Sequence, residues 1–267
     1  MVKKSVVVDS RDRDFDAYPS PGTYVVKLPQ VFYNVVAARL VTAELPSSMY
    51  VFSSDCNNTT LKFILNNVPL SVVIPDGNYS YSSMAAALQT ALRTATGTLL
   101  TVSISPTTGK TTIASPVGTD VLAVDATNPG NAKHTQWGLG WYLGFVRGVV
   151  ASGTGTLTSP RIACMNPELS VFLDIPELGR VVETGIEGQG GAQSFRCFAK
   201  VPMAVNSTDY AYYDKLITLN EYEQPLAKLD RLTVTWRFHG DDEPLDFNFL
   251  EHSFTLELDC DVNRANQ

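Results

Sequence analysis

A chain of 267 residues with 44% hydrophobic and 18% charged side chains is long enough to bury a sizeable core and lies far from the disordered regime. Its net charge of −7 and pI of about 5.0 argue against wrapping naked nucleic acid, where Lys and Arg must neutralise phosphates. The 4 cysteines, Cys56, Cys164, Cys197 and Cys260, form no CxxC and no zinc-spaced pair, so they fit a reducing interior better than a disulfide framework.

The N-terminus offers only Val6-Val7-Val8 before Asp9, too short for a signal-peptide core. No run approaches the roughly 18–20 apolar residues of a spanning helix, and the expectation is a chain that crosses no membrane. Sequons at Asn57, Asn58, Asn78 and Asn206 then count as composition rather than signal. Residues 5–9 read as a short β-branched strand, followed by the charged stretch Asp9 to Asp16 and the turn-rich Tyr18-Pro19-Ser20-Pro21-Gly22. Strands are predicted over 23–28, stopped by Pro29, and over 33–45, closed by Pro46. Residues 61–65 and 69–74 form a hairpin about Asn66-Asn67.

One helix is predicted near residues 81–95. Ser80 is a good N-cap, Met84, Leu88, Ala91, Leu92 and Ala95 repeat at helical spacing, and Gly97 is placed to end it in the left-handed region. Strand alternation returns at Leu100, Val102 and Ile104, turns at Ser105 to Lys110, and runs back over 111–114. Residues 115–165 are rich in Gly, Thr, Ser and Pro and the least legible, apart from an aromatic island at Trp137 to Phe145. Strands resume at 171–175, 195–201 and 216–222, and the glycine-rich loop 185–191 lies between them.

The C-terminal strands carry the clearest period. Leu232, Val234, Trp236 and Phe238 alternate with Arg231, Thr233, Thr235, Arg237 and His239; beyond the turn at 239–244, Phe254, Leu256, Leu258 and Cys260 alternate with Ser253, Thr255, Glu257 and Asp259. Such alternation describes a half-buried antiparallel sheet. The fold expected is mainly β, an antiparallel β-sandwich of jelly-roll-like type with one inserted helix. Its expected division is an N-terminal arm, 1–22, and a sandwich, 23–267, whose insertion covers about 66–115.

No catalytic constellation interrupts this scaffold, so no enzyme activity, cofactor or metal is expected. Thr108-Gly109-Lys110-Thr111-Thr112 resembles the end of a phosphate-binding loop, but the required first glycine is Ile104 and strand residues follow. Asp12, Asp14 and Asp16 open with calcium-loop spacing, yet Ala17 and Thr23 stand where Gly and the closing acid belong. His134, His239 and His252 have no accompanying nucleophile motif. Gly185 to Gly191 has no surrounding βαβ unit. The acids Asp241-Asp242-Glu243 and Glu221 with Glu223 keep a glycosidase reading open, and Trp137, Trp141 and Tyr142 could form a sugar platform. The best interaction candidate is Arg11, Asp12, Arg13, Asp14 and Phe15. If extended, Arg11, Arg13 and Phe15 project to one side and the aspartates to the other, able to pair with neighbouring subunits or with the chain itself.

The order of short motifs resembles a family. Asp9-Ser10-Arg11-Asp12-Arg13, Tyr18-Pro19, Tyr24 to Pro29, Ala38-Arg39-Leu40 to Pro46, Gly77-Asn78-Tyr79-Ser80, Thr108-Gly109-Lys110, Leu143-Gly144-Phe145 and His252 to Leu258 are similar to structural proteins of large icosahedral double-stranded DNA viruses. The nearest likeness is to minor capsid proteins of algal viruses such as the chlorella viruses. The resemblance implies a virion structural protein assembled in the host cytoplasm into the capsid shell. Its partners would be the major capsid protein and other minor capsid proteins, near an inner viral membrane that it does not span. A carbohydrate-binding or glycoside-cleaving β-sandwich is the alternative.

Overall fold

The structure, a computed structural model, describes residues 1–127, 137–166, 170–179, 181–182, 187–188, 191–192, 196–203, 210–214, 219–239 and 243–261. The fold is mainly β, an antiparallel jelly-roll-like β-sandwich with one long helix between strands. The chain divides into two compact units, residues 1–49 with 168–267, and residues 50–167. The division therefore falls at 49/50 and 167/168 rather than around 66–115. Residues 2–9, expected within an arm, are a strand of the first unit's sheet.

That first unit contains β1 (Val2–Asp9), β2 (Thr23–Pro46), β10 (Ser170–Asp174), β11 (Val181–Val182), β12 (Glu187–Gly188), β13 (Gly191–Ala192), β14 (Arg196–Cys197), β15 (Ala199–Pro202), β16 (Tyr210–Asp214), β17 (Leu219–Arg237) and β18 (Ser253–Cys260). Its main sheet runs β1-β18-β2-β17-β10-β15, with β16 also paired to β2. The alternation predicted for the C-terminal strands is realised: Leu232, Val234, Trp236, Phe254, Leu256 and Leu258 are buried together with Val6, Val8, Tyr24 and Leu40. Arg237 departs from it. Placed by its period on the wet face, it is buried, its guanidinium 5.6 Å from the Phe172 ring centroid.

Two strands are longer than the sequence indicates. β2 continues through Pro29, and β17 joins the predicted strands at 216–222 and 231–238 through Pro225. Both prolines lie at register shifts. Residues 28–31 fall between the partners of Arg231 and Leu229, and residues 222–225 between Glu221 and Leu226. A proline ring removes an N–H from a regular ladder, but a bulge requires none at that point. A local stop signal thus becomes a bend in a continuous strand.

The second unit holds β3 (Thr60–Leu65), β4 (Val68–Val73), α1 (Tyr81–Thr96), β5 (Thr101–Ile104), β6 (Thr111–Ala114), β7 (Val121–Asp125), α2 (Leu139–Tyr142), β8 (Val150–Thr154) and β9 (Thr156–Thr158). They form the sheets β4-β3-β7-β8 and β5-β6-β9. Asn66 and Asn67 turn the β3–β4 hairpin with φ of 51° and 68°, both left-handed, as a two-residue hairpin that follows sheet twist requires. In α1, Ser80 and Ser83 bond reciprocally in a capping box, Gly97 closes the end at φ 67°, and Met84, Leu88 and Leu92 are buried. The aromatic island is core: Leu139, Tyr142, Leu143 and Phe145 are buried with Phe52, Phe63 and Leu122.

Candidate functional site

The charged stretch after β1 does not stay extended. Asp9 caps a single 3-10 turn, Ser10–Asp12: its Oδ1 accepts the Arg11 backbone N–H at 2.9 Å, and the Ser10 N–H donates to the His252 carbonyl at 2.9 Å. The alternating two-signed ribbon is therefore not formed, because the caps redirect the backbone at Ser10. Arg11 projects outward, 72% exposed at its side chain, and folds back to donate Nε and Nη2 to Asp9 at 2.9 and 2.5 Å. These hydrogen bonds hold the Asp9 carboxyl below the usual carboxylate range.

Arg13 turns inward, and only 2% of its side chain is exposed. Its Nη1 donates to the Ser10 carbonyl at 2.7 Å and to Glu251 Oε2 at 2.5 Å, its Nε to the Tyr18 carbonyl at 2.8 Å, and its Nη2 to the Pro19 carbonyl at 3.3 Å. A planar fork can satisfy these acceptors together, and the half-exposed Phe15 ring covers it at 4.2 Å. Burial opposes ionisation of Glu251, but hydrogen bonds from Arg13 and Ser10 outweigh it and keep the carboxyl below its ordinary range. Asp14 closes a local turn, its Oδ1 accepting the backbone N–H groups of Asp16 and Ala17 at 3.0 and 3.2 Å. Asp12 is an exposed acid within the 3-10 turn. Of the five predicted residues, then, Arg13 and Phe15 meet each other, Arg13 is internal, and Arg11 remains at the surface.

Beside Arg11 lies a feature the sequence does not announce. An open groove of about 400 Å³ is lined by Asp9, Arg11, Glu44, Phe249, Leu250, Glu251, His252 and Ser253. Phe249 stands at its rim 78% exposed, with φ of 61°, directly after Asn248 at φ 50°. Asn tolerates the left-handed region, but the bulky Phe249 pays roughly 1–2 kcal/mol to sit there. The surroundings hold them there. The Asn248 N–H donates to Asp246 Oδ1 at 2.8 Å and its side-chain amide to the Ser48 carbonyl, while the Leu250 N–H donates to the Phe247 carbonyl at 3.0 Å. Phe247 itself is buried. The turn thus holds the Phe249 ring in water at the rim of the groove. A bulky residue at left-handed φ leaves no periodic trace, which is why sequence reading passes it over.

Beneath the groove His252 is buried, its ring 5.7 Å from Tyr24, 5.5 Å from Trp236 and 5.2 Å from Phe247. Burial lowers its pKa to about 4, against a smaller opposing effect of the Pro21 carbonyl that meets Nε2 at 2.9 Å. The neutral ring therefore donates from Nε2. His239 lies against Phe172, and His134 falls outside the described residues, as do Asp241 and Asp242.

The remaining sequence candidates are placed as follows. Thr108-Gly109-Lys110 is the β5–β6 turn, with Gly109 at φ 65°. Trp137 and Trp141 meet edge to face at 85°, Arg147 stacks on Trp137 at 4.6 Å, and Tyr142 is buried, so the three rings present no common flat platform. Glu221 and Glu223 are exposed on β17. Among the described residues, no group of three or more His, Cys, Asp or Glu is placed to hold a metal ion, and no helix is long and apolar enough to cross a membrane. Of the glycine-rich loop, residues 185–186 and 189–190 lie outside the described residues, as does Asn206.

A family model described as "Family of unknown function (DUF5901)" matches residues 4–130, somewhat less than half of the chain. No curated protein matches. Among solved structures, the chain is similar to a mavirus penton protein. The two align with a TM-score of 0.53 over 97% of this chain and 98% of the other, at 8% sequence identity. They share a fold.

Proposed function

We propose that this chain is a virion structural protein, a minor component of a capsid shell that makes non-covalent contacts with neighbouring capsid subunits and catalyses no reaction. The observation that carries the reading is the likeness to a penton protein over almost the full length of both chains. The motif order from Asp9-Ser10-Arg11 to Leu258 points the same way. The groove at Asp9, Arg11, Glu44 and Phe249 supplies a surface suited to such contacts, an exposed aromatic anchor ringed by charges of both signs.

Quantitative mass spectrometry of purified particles tests the proposal. The chain should co-purify with the shell at a fixed stoichiometry, below that of the major subunit. Its absence from particles that contain the major subunit would overturn the reading. The carbohydrate alternative gains nothing from the geometry, since Tyr142 is in the core and Trp137 stands edge-on to Trp141.

A further inference from the structure

Sheet edges expose unpaired N–H and C=O groups, and proteins usually blunt them with proline, bulges or short length. Among the described residues, β4 carries Pro69, β15 is four residues long and ends at Pro202, and β5, β8 and β16 have four or five residues each. β1 differs. It is eight residues long, contains no proline, and pairs with β18 from Val2↔Cys260 to Asp9↔Ser253 without a register shift. The Ser10 N–H bonds the His252 carbonyl one position beyond that ladder, so the even-numbered residues of β1 direct their backbone groups to β18. Lys3, Ser5, Val7 and Asp9 direct theirs to the opposite edge, which no strand among the described residues pairs. Val7, at the middle of that edge, is 69% exposed.

The strand also reads as its own complement when reversed. Lys3 lies three residues before Val6 and Asp9 three residues after it, and both side chains are on the outer face. We propose that this edge of β1 binds β1 of a second copy of this chain, antiparallel, with Val6 at the two-fold axis. Ser5 then faces Val7 and Lys3 faces Asp9 in hydrogen-bonded pairs on both sides of the axis, which makes the contact isologous and closed. Lys3, already beside Glu257 at 2.6 Å and Asp259 at 3.7 Å, meets Asp9 of the second copy, and Arg11 arrives with that Asp9 to offset the added acid. The sheet then runs on from one copy to the next. This inference stands apart from the capsid reading, because it concerns mass in solution.

Sedimentation velocity on the full chain tests it. The wild type should form a concentration-dependent dimer. Val7→Pro should leave it monomeric with an unchanged circular-dichroism spectrum, since the N–H it removes is not used by β18. Ser5→Lys combined with Val7→Lys, two exposed positions that face each other across the axis, should raise the dimer Kd about tenfold or more, and Ser5→Lys combined with Val7→Glu should reverse that loss. If Val7→Pro does not fold, the charge-swap pair decides alone. A wild type that stays monomeric at about 0.1 mM, with a strand of a different protein left as the occupant, overturns the proposal. So does a dimer indifferent to Val7→Pro, or a charge swap that restores nothing.

Discussion

Arg13 and Glu251, 238 positions apart in the chain, meet at 2.5 Å, and the arginine half of the pair is almost entirely out of water. One guanidinium thereby ties the loop 10–19 to Glu251, two residues before β18. Removing one member of a buried pair leaves the other uncompensated, and here several backbone carbonyls lose their donor as well. Arg13→Ala should lower the unfolding free energy by about 2–4 kcal/mol, measured by urea denaturation. Arg13→Lys should recover only part of it, because an ammonium cannot span Glu251 and the Tyr18 carbonyl together.

Stability should fall on mild acidification, and His252 should set the first stage. Its folded pKa of about 4 lies below the ordinary 6.5, so between those values the unfolded chain binds the extra proton. The stabilisation is complete above pH 6.5 and is lost as pH drops towards 4, on the order of 3 kcal/mol in all. Glu251 and Asp9, whose folded pKa values are depressed from 4.5 and 3.8, extend the loss below that range. Unfolding free energy measured against pH should show this slope, and His252→Phe should flatten the portion between pH 6.5 and 4.

Phe249 should display opposite effects on stability and assembly. Phe249→Gly relieves a left-handed backbone and removes no core contact, so the melting temperature should hold steady or rise, with a gain of up to about 1 kcal/mol. If the ring anchors a neighbouring subunit, the same variant should incorporate poorly into particles. A variant that melts lower, or one that incorporates normally, would contradict the role given to the ring.

Gly22 illustrates a close approach that no local pattern reveals. A Cβ built there would lie 2.0 Å from the Leu245 carbonyl oxygen, while the Gly22 carbonyl accepts from the Trp236 N–H at 2.9 Å. Gly22→Ala should therefore destabilise by about 1–3 kcal/mol in the same urea measurement, although the turn itself tolerates alanine.

Local chemistry is legible where one segment decides its own conformation. The helix from Ser80 to Gly97, the Asn66-Asn67 hairpin and the alternation of Leu232, Val234 and Trp236 each follow from side chains a few residues apart. Pro29 misleads because its effect depends on register with a distant strand. The charge of the stretch Arg11 to Phe15 is legible in the sequence, yet its partners are not, because Glu251 joins it only through the β1–β18 ladder.

Sequence by itself determined a β-rich chain with one capped helix, since propensity, caps and two-residue periodicity are short-range properties. Tertiary structure alone decided that Arg13 faces inward, that Phe249 is held out beside the groove, and that β1 is an edge strand among the described residues. Each of those outcomes depends on which distant backbone groups are already satisfied, and hydrogen bonding between segments far apart in the chain leaves no periodic mark in either segment.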